Sequence, residues 1–207
     1  MKFLGFATPR SGTAWLSNFL CHGESSFCRH EALYGCDSIN GFISSIDSLD
    51  TPVKGSIDTA AGVIAPTLAA QLRPLGYRFF VVLRPADDVR KSLKTISCSD
   101  ESMPAVWAGL HWLVKNVPNV PVIQYKHLFQ HDTLRALWQY LEIPAPFPVQ
   151  RLEMLREILV EDGRIKGFGR FATDEGCEEA KEMFGQLVTE AYMPPHLRPA
   201  YEPKAVM

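Results

Sequence analysis

An apolar run that ends in a cation is the strongest constraint on this chain. Residues 79–83 read Phe-Phe-Val-Val-Leu and are followed at once by Arg84 and Pro85. A run without polar alternation suits a strand covered on both faces, the usual state of strands in a parallel sheet between helices. Pro85 suits the opening of a helix, expected here through about Ile96. Arg84 is thereby left at the C-terminal end of a buried strand, where a charge needs a partner.

The rest of the chain repeats this alternation. Residues 2–6 read as a short buried strand, 53–57 as a weaker one and 120–125 as another. Helical spacing is found over 13–21, over 62–75 before a stop at Gly76, and over 103–117, where Val106, Leu110, Leu113 and Val117 share a face. Further helices are expected over 132–141, 149–160 and 174–193. The last residues, with Pro194, Pro195, Pro199 and Pro203, read as a weakly structured tail. Strands alternating with helices predict an α/β fold, a parallel β-sheet flanked by helices on both faces. We expect a single domain over 1–193 and a Pro-rich tail over 194–207. In such sheets ligands lie beyond the C-terminal strand ends, which directs attention to the residues just after Phe6, Ile57, Leu83 and Tyr125.

Composition narrows the partners. A net charge of −2 gives no global field for nucleic acid or an anionic membrane, so an anion must be met locally. No apolar stretch approaches the ~18 residues of a membrane span. The apolar run 3–7 is interrupted by Pro9, Arg10 and Gly12 before it resembles a signal peptide. The five cysteines are odd in number and irregularly spaced, which reads as free thiols and points to the cytoplasm. Cys21, His22, Cys28, His30 and Cys36 crowd together, but none of the usual zinc-binding Cys spacings occurs, so no metal is expected.

The segment after the first strand, Thr8-Pro-Arg-Ser-Gly-Thr-Ala-Trp15, precedes a helix. A helix start offers unpaired N–H groups and the positive end of a dipole to a phosphate. Gly12 permits close approach, Ser11 and Thr13 add hydroxyls and Arg10 adds a charged fork. The triphosphatase spelling, Gly, four residues, Gly-Lys-Ser/Thr, is not met, because here the cation precedes the glycine. Pro9-Arg-Ser-Gly-Thr-Ala-Trp15 instead resembles the phosphosulfate loop of the sulfotransferase family, commonly Pro-Lys/Arg-Ser-Gly-Thr-Thr-Trp. Ala14 departs from that pattern and removes one hydroxyl from the phosphate cage. The resemblance implies that Arg10, Ser11, Gly12, Thr13 and Ala14 hold the 5′-phosphosulfate of 3′-phosphoadenosine 5′-phosphosulfate (PAPS), with Trp15 near the adenine.

Arg84 and Ser92, eight positions apart, are the second and more specific match. An extended arginine can reach over the start of the helix that carries the serine. The family places an Arg and a Ser at this separation to hold the donor's 3′-phosphate. Residues 122–128 (Val-Ile-Gln-Tyr-Lys-His-Leu) are similar to the family's strand ending in Tyr-Glu-x-Leu. Residues 164–170 form a Gly-rich basic stretch similar to its late donor loop. The implied architecture is the P-loop-like sulfotransferase fold.

Sulfuryl transfer needs a base at the acceptor and charge stabilisation on the leaving phosphate. Arg10 is the obvious stabiliser, and Lys54 a second by resemblance. For the base, Ser56 stands where many members carry His. Other members use a glutamate soon after the first helix, which makes Glu31 the first candidate, His30 its close competitor and Asp58 the third. The expected reaction is transfer from PAPS to a hydroxyl or amine of a small-molecule acceptor, without a required metal. Acceptor loops are expected over 32–50 and 97–105, with Phe42 and Trp107 open between pocket and core. Two rivals remain: a kinase on the same architecture with Asp58 holding Mg²⁺, and a nucleotide-binding module without catalysis.

Overall fold

The computed structural model describes residues 1–95 and 98–159. Strands β1 (Lys2–Ala7), β2 (Ser26–His30), β3 (Val53–Asp58), β4 (Tyr77–Leu83) and β5 (Val122–Gln124) form one sheet in the order β2-β3-β1-β4-β5. Every pairing is parallel. Parallel neighbours need crossovers, and the helices supply them: α1 (Thr13–Leu20), α2 (Ile39–Asp47), α3 (Ala65–Leu72), α4 (Ala86–Lys94), α5 (Met103–Asn116), α6 (His131–Tyr140) and α7 (Val149–Leu159).

This is the α/β architecture the sequence predicts. The central strands are buried as their apolar runs require: Phe3, Leu4, Phe6 and Ala7 of β1 and Phe79, Phe80, Val81 and Val82 of β4 all lie in the core. After β1 the chain leaves toward β2 and β3, whereas after β4 it leaves toward β5. The order therefore reverses between β1 and β4, and it is at such a reversal, beyond the C-terminal strand ends, that sheets of this kind bind ligands.

Two elements depart from expectation. Strand β2 has a polar spelling, Ser-Phe-Cys-Arg-His, because it is an edge strand whose last two residues are only half-buried. Within 32–50, expected as an acceptor loop, Ile39–Asp47 folds as a helix capped by Ser38, whose Oγ accepts from Gly41 N at 3.0 Å. That helix buries Phe42 and Ile46, so Phe42 is core. Trp107 is half-buried against a small cluster of Val89, Leu93 and Met103 between α4 and α5. The basic stretch 164–170, the helix expected over 174–193, the tail and Cys177 lie outside the described residues. Among the described residues no helix is long and apolar enough to cross a membrane.

The segment after β3 is fixed by an unusually close contact. A Cβ on Gly109 of α5 would fall 1.7 Å from the carbonyl oxygen of Gly62, in the short 3-10 turn Ala60–Gly62. Helix propensity alone favours Ala over Gly by about 1 kcal/mol. Here the overlap is with backbone and reverses the sign. Gly109→Ala is expected to lower stability by about 1–3 kcal/mol in a denaturant titration, as overpacking does; an unchanged or higher midpoint would contradict this contact.

Candidate active site at the C-terminal edge of the sheet

The loop after β1 is braced from within. Thr8 N donates to Val82 O at 3.1 Å, and Thr8 Oγ1 accepts from Arg84 N at 3.0 Å, tying the ends of β1 and β4 together. Ser11 is buried and its hydroxyl donates to Thr8 O at 2.5 Å, so it holds the loop shape. Arg10 and Gly12 both have positive φ, 62° and 78°. For arginine this conformation costs on the order of 1 kcal/mol, a strain typical of ligand clamps. Gly12 caps α1, its carbonyl accepting from Leu16 N at 2.9 Å. A Cβ there would also lie 2.8 Å from the Leu128 side chain. The first turn of α1 carries no acidic residue, so its N–H groups and dipole remain available to an anion.

Arg10, Arg84 and Ser92 come together beside this loop. Arg10 Nε donates to Ser92 Oγ at 3.0 Å, and Arg84 Nη1 donates to the Arg10 carbonyl at 2.6 Å. The Arg84 guanidinium lies 4.6 Å from the centroid of the Tyr125 ring. Its Nε is buried without a hydrogen-bond partner. Among the described residues neither guanidinium meets a carboxylate; Asp87, the competitor closest to Arg84 in sequence, pairs with Arg90 at 3.3 Å. Burial, and then the Arg84 charge, lower the Arg10 pKa from its ordinary value. Among the described residues the two like charges have no counter-charge, an arrangement suited to an anion. The sequence reading separates Arg10 from the Arg84–Ser92 pair, whereas the structure joins all three in one group.

The base candidates converge on the other side of the loop. His30 ends β2, and its Nε2 lies 3.0 Å from Thr13 Oγ1 and 3.8 Å from Glu31 Oε1. Burial depresses the His30 pKa to about 4, so the imidazole is neutral near pH 7. The Glu31 carboxylate accepts from Thr59 N at 3.0 and 3.2 Å, and burial raises its pKa despite that bond. Asp58, at the end of β3, is fully buried. Its Oδ1 accepts from Leu33 N at 2.8 Å, and its Oδ2 accepts from the Ser56 hydroxyl. Burial, then the Glu31 charge, push the Asp58 pKa up to about 7.

Two expected residues are not brought to this edge. Lys54 is near the start of β3, in register with Lys2, and four residues before Asp58; at ~3.3 Å per residue it lies on the opposite rim. Its ammonium donates to the Asp47 and Leu49 carbonyls at 2.9 and 2.7 Å, capping the end of α2. Trp15 is a core residue: it stacks on Phe19 with centroids 5.8 Å apart, meets Phe129 edge-on at 4.8 Å and donates from Nε1 to Leu155 O at 3.0 Å. Ala14, half-buried, is the second residue of α1. Cys21 and Cys28 are buried thiols tied by a Cys28 N to Cys21 Sγ contact of 3.4 Å. Among the described residues no group of three or more His, Cys, Asp or Glu side chains is placed to hold a metal. Sequence reasoning missed Thr8 and Thr59, whose bonds to Val82, Arg84 and Glu31 join segments distant in sequence and leave no spacing signature.

These features define an α/β fold with two linked guanidinium groups at its strand tips. No protein-family model matches the chain, and no curated protein matches it in sequence. Among solved structures it is similar to mouse sulfotransferase SULT7A1 complexed with PAP, over 91% of this chain and 84% of that one, with a TM-score of 0.52 and 9% identity. The fold is sulfotransferase-like.

The buried carboxyl has a pH signature. The folded Asp58 keeps its proton up to about pH 7, whereas the unfolded side chain releases it near 3.8. Its stabilising contribution is therefore full below about pH 4 and lost as pH rises through 7. His30, depressed from 6.5 to about 4, acts in the opposite direction, losing stability as pH falls through that range. The stability difference between wild type and Asp58→Asn isolates the first effect and is expected to decline from about pH 4 to 7 in urea titrations. A flat difference would contradict it.

Proposed function

We propose that this protein transfers a sulfuryl group from PAPS to a hydroxyl or amine of a small acceptor. The observation that carries the reading is the linked pair of guanidinium groups, Arg10 on the Ser92 hydroxyl and Arg84 on the Arg10 carbonyl, which meet no carboxylate among the described residues. A mononucleotide with phosphates at both ends of its ribose supplies negative charge to this pair and to the start of α1, and the orphaned Arg84 Nε fits such an anion. The mouse enzyme of like fold is complexed with PAP, which is the desulfated donor.

In this reading Arg84 and Ser92 bind the 3′-phosphate, and the N–H groups of Gly12, Thr13 and Ala14 bind the 5′ end. Arg10 lies with the first group and offsets charge on the leaving phosphate. The acceptor gives its proton to the base as its oxygen or nitrogen bonds to sulfur. The bond from sulfur to the bridging oxygen breaks, and 3′,5′-diphosphoadenosine leaves with that electron pair. Glu31 is the first candidate for the base, and neutral His30, bonded to Thr13, is the second. We place the reaction in the cytoplasm, a setting suited to the free thiols of Cys21, Cys28, Cys36 and Cys98. The kinase reading is disfavoured by Asp58, whose two oxygens are taken by Leu33 N and Ser56.

Calorimetry separates the readings. 3′,5′-Diphosphoadenosine is expected to bind without Mg²⁺ and more tightly than ATP. Arg84→Ala is expected to weaken that binding about 10²-fold, as loss of a charge-assisted contact does. Tighter binding of ATP that requires Mg²⁺ would favour a kinase. Binding of the diphosphate with no sulfated product from a panel of phenols, alcohols and amines would favour a non-catalytic module.

A further inference from the structure

Resting on that reading, we infer that Asp58 is a positioning residue: it holds the Glu31 carboxylate at the strand tips through a reciprocal clamp between the ends of β2 and β3. The two carboxylates exchange backbone amides. Glu31 accepts from the N–H of residue 59, which follows Asp58, and Asp58 accepts from the N–H of Leu33, two residues beyond Glu31. Glu31 N also donates to Ile57 O at 2.9 Å, continuing the β2–β3 ladder into the clamp.

The clamp explains a backbone that the sequence would not favour. Glu31 has φ 55°, left-handed and costly for a non-glycine residue, and such geometry persists only where surrounding bonds over-determine it. Ser56 completes the arrangement: its hydroxyl donates to Asp58 Oδ2 and its oxygen accepts from Ala32 N at 3.3 Å. Three successive residues, 31 to 33, are thus pinned to the end of β3 by Ile57, Ser56 and Asp58.

Access divides the roles. The Glu31 side chain is 21% exposed and can reach a bound acceptor, whereas Asp58 is fully buried with both oxygens engaged. The other groups facing the pair are the His30 imidazole, 3.8 Å from Glu31, and the buried Cys28 thiol, within electrostatic reach of Asp58. Neither supplies a counter-charge near pH 7, so neutral donors hold both carboxyl groups: the amides of Leu33 and Thr59, and the Ser56 hydroxyl on Asp58.

The test compares Asp58→Asn, Asp58→Leu and Glu31→Gln by sulfated product formed from PAPS on the acceptor panel, and by amide hydrogen exchange at Leu33 and Thr59. Asn keeps an oxygen for Leu33 N–H and an amide for Ser56 Oγ, so Asp58→Asn is expected to stay within about threefold of wild-type kcat. Asp58→Leu is expected to lose about tenfold or more in kcat with the donor KM unchanged, and Glu31→Gln about 10²-fold. Leu33 and Thr59 amides should exchange faster in Asp58→Leu alone. An Asp58→Asn loss equal to that of Glu31→Gln would make Asp58 the base and overturn the inference. So would unchanged exchange at both amides in Asp58→Leu; if that variant does not fold, the Asn comparison still decides. Failure of wild type to bind 3′,5′-diphosphoadenosine would remove the donor reading instead, leaving the exchange measurement to judge the clamp.

Discussion

The Arg10 and Arg84 guanidinium groups lie in one half-buried group that, among the described residues, meets no carboxylate. Removing a charge from water is unfavourable unless it is paired and hydrogen-bonded. The protein compensates in part, with the Arg10 carbonyl, the Ser92 hydroxyl and the face of Tyr125. None of these carries negative charge. The arrangement suits an anion, as proposed above, and the neighbouring α1 dipole favours the same sign of ligand.

The sheet makes this possible by collecting residues that are distant in sequence. Each parallel strand points its C-terminal end to the same rim, so Thr8, His30, Asp58, Arg84 and Tyr125 are delivered there by five different strands. The loops that carry Arg10 and Arg84 follow the central strands β1 and β4, whereas the turns that carry Glu31 and Thr59 follow β2 and β3. The first set is cationic. The other holds two carboxyl groups and a neutral imidazole, the composition expected where a proton is to be taken up.

Much of the fold was legible because its signals are strong and local. The uninterrupted run 79–83 is typical of a doubly covered strand, and Gly76 and Pro85 marked its flanking turns. Strand β2 was hidden because an edge strand need not be apolar on both faces, and α2 because its serines and glycine mask two buried residues, Phe42 and Ile46. At the site, spacing paired Ser92 with Arg84, whereas the structure bonds Ser92 to Arg10 and Arg84 to the Arg10 carbonyl, links between segments that spacing within one strand-to-helix turn does not reveal. Lys54 was misplaced because a residue type on the right strand says nothing about which end of it the residue occupies. Trp15 followed the helix's buried face, which Phe19 and Phe129 complete. The clamp of Glu31 and Asp58 was unreadable, since it depends on amides contributed by the opposite strand end.

The central claim is that this cationic group binds a bisphosphorylated nucleotide. A crystal structure of the protein soaked with 3′,5′-diphosphoadenosine tests it most directly. The account predicts the 3′-phosphate within hydrogen-bonding distance, about 2.7–3.2 Å, of Arg84 and Ser92, and the 5′-phosphate against the first N–H groups of α1. A nucleotide bound elsewhere, or a site unchanged with Arg10 still on Ser92, would contradict it.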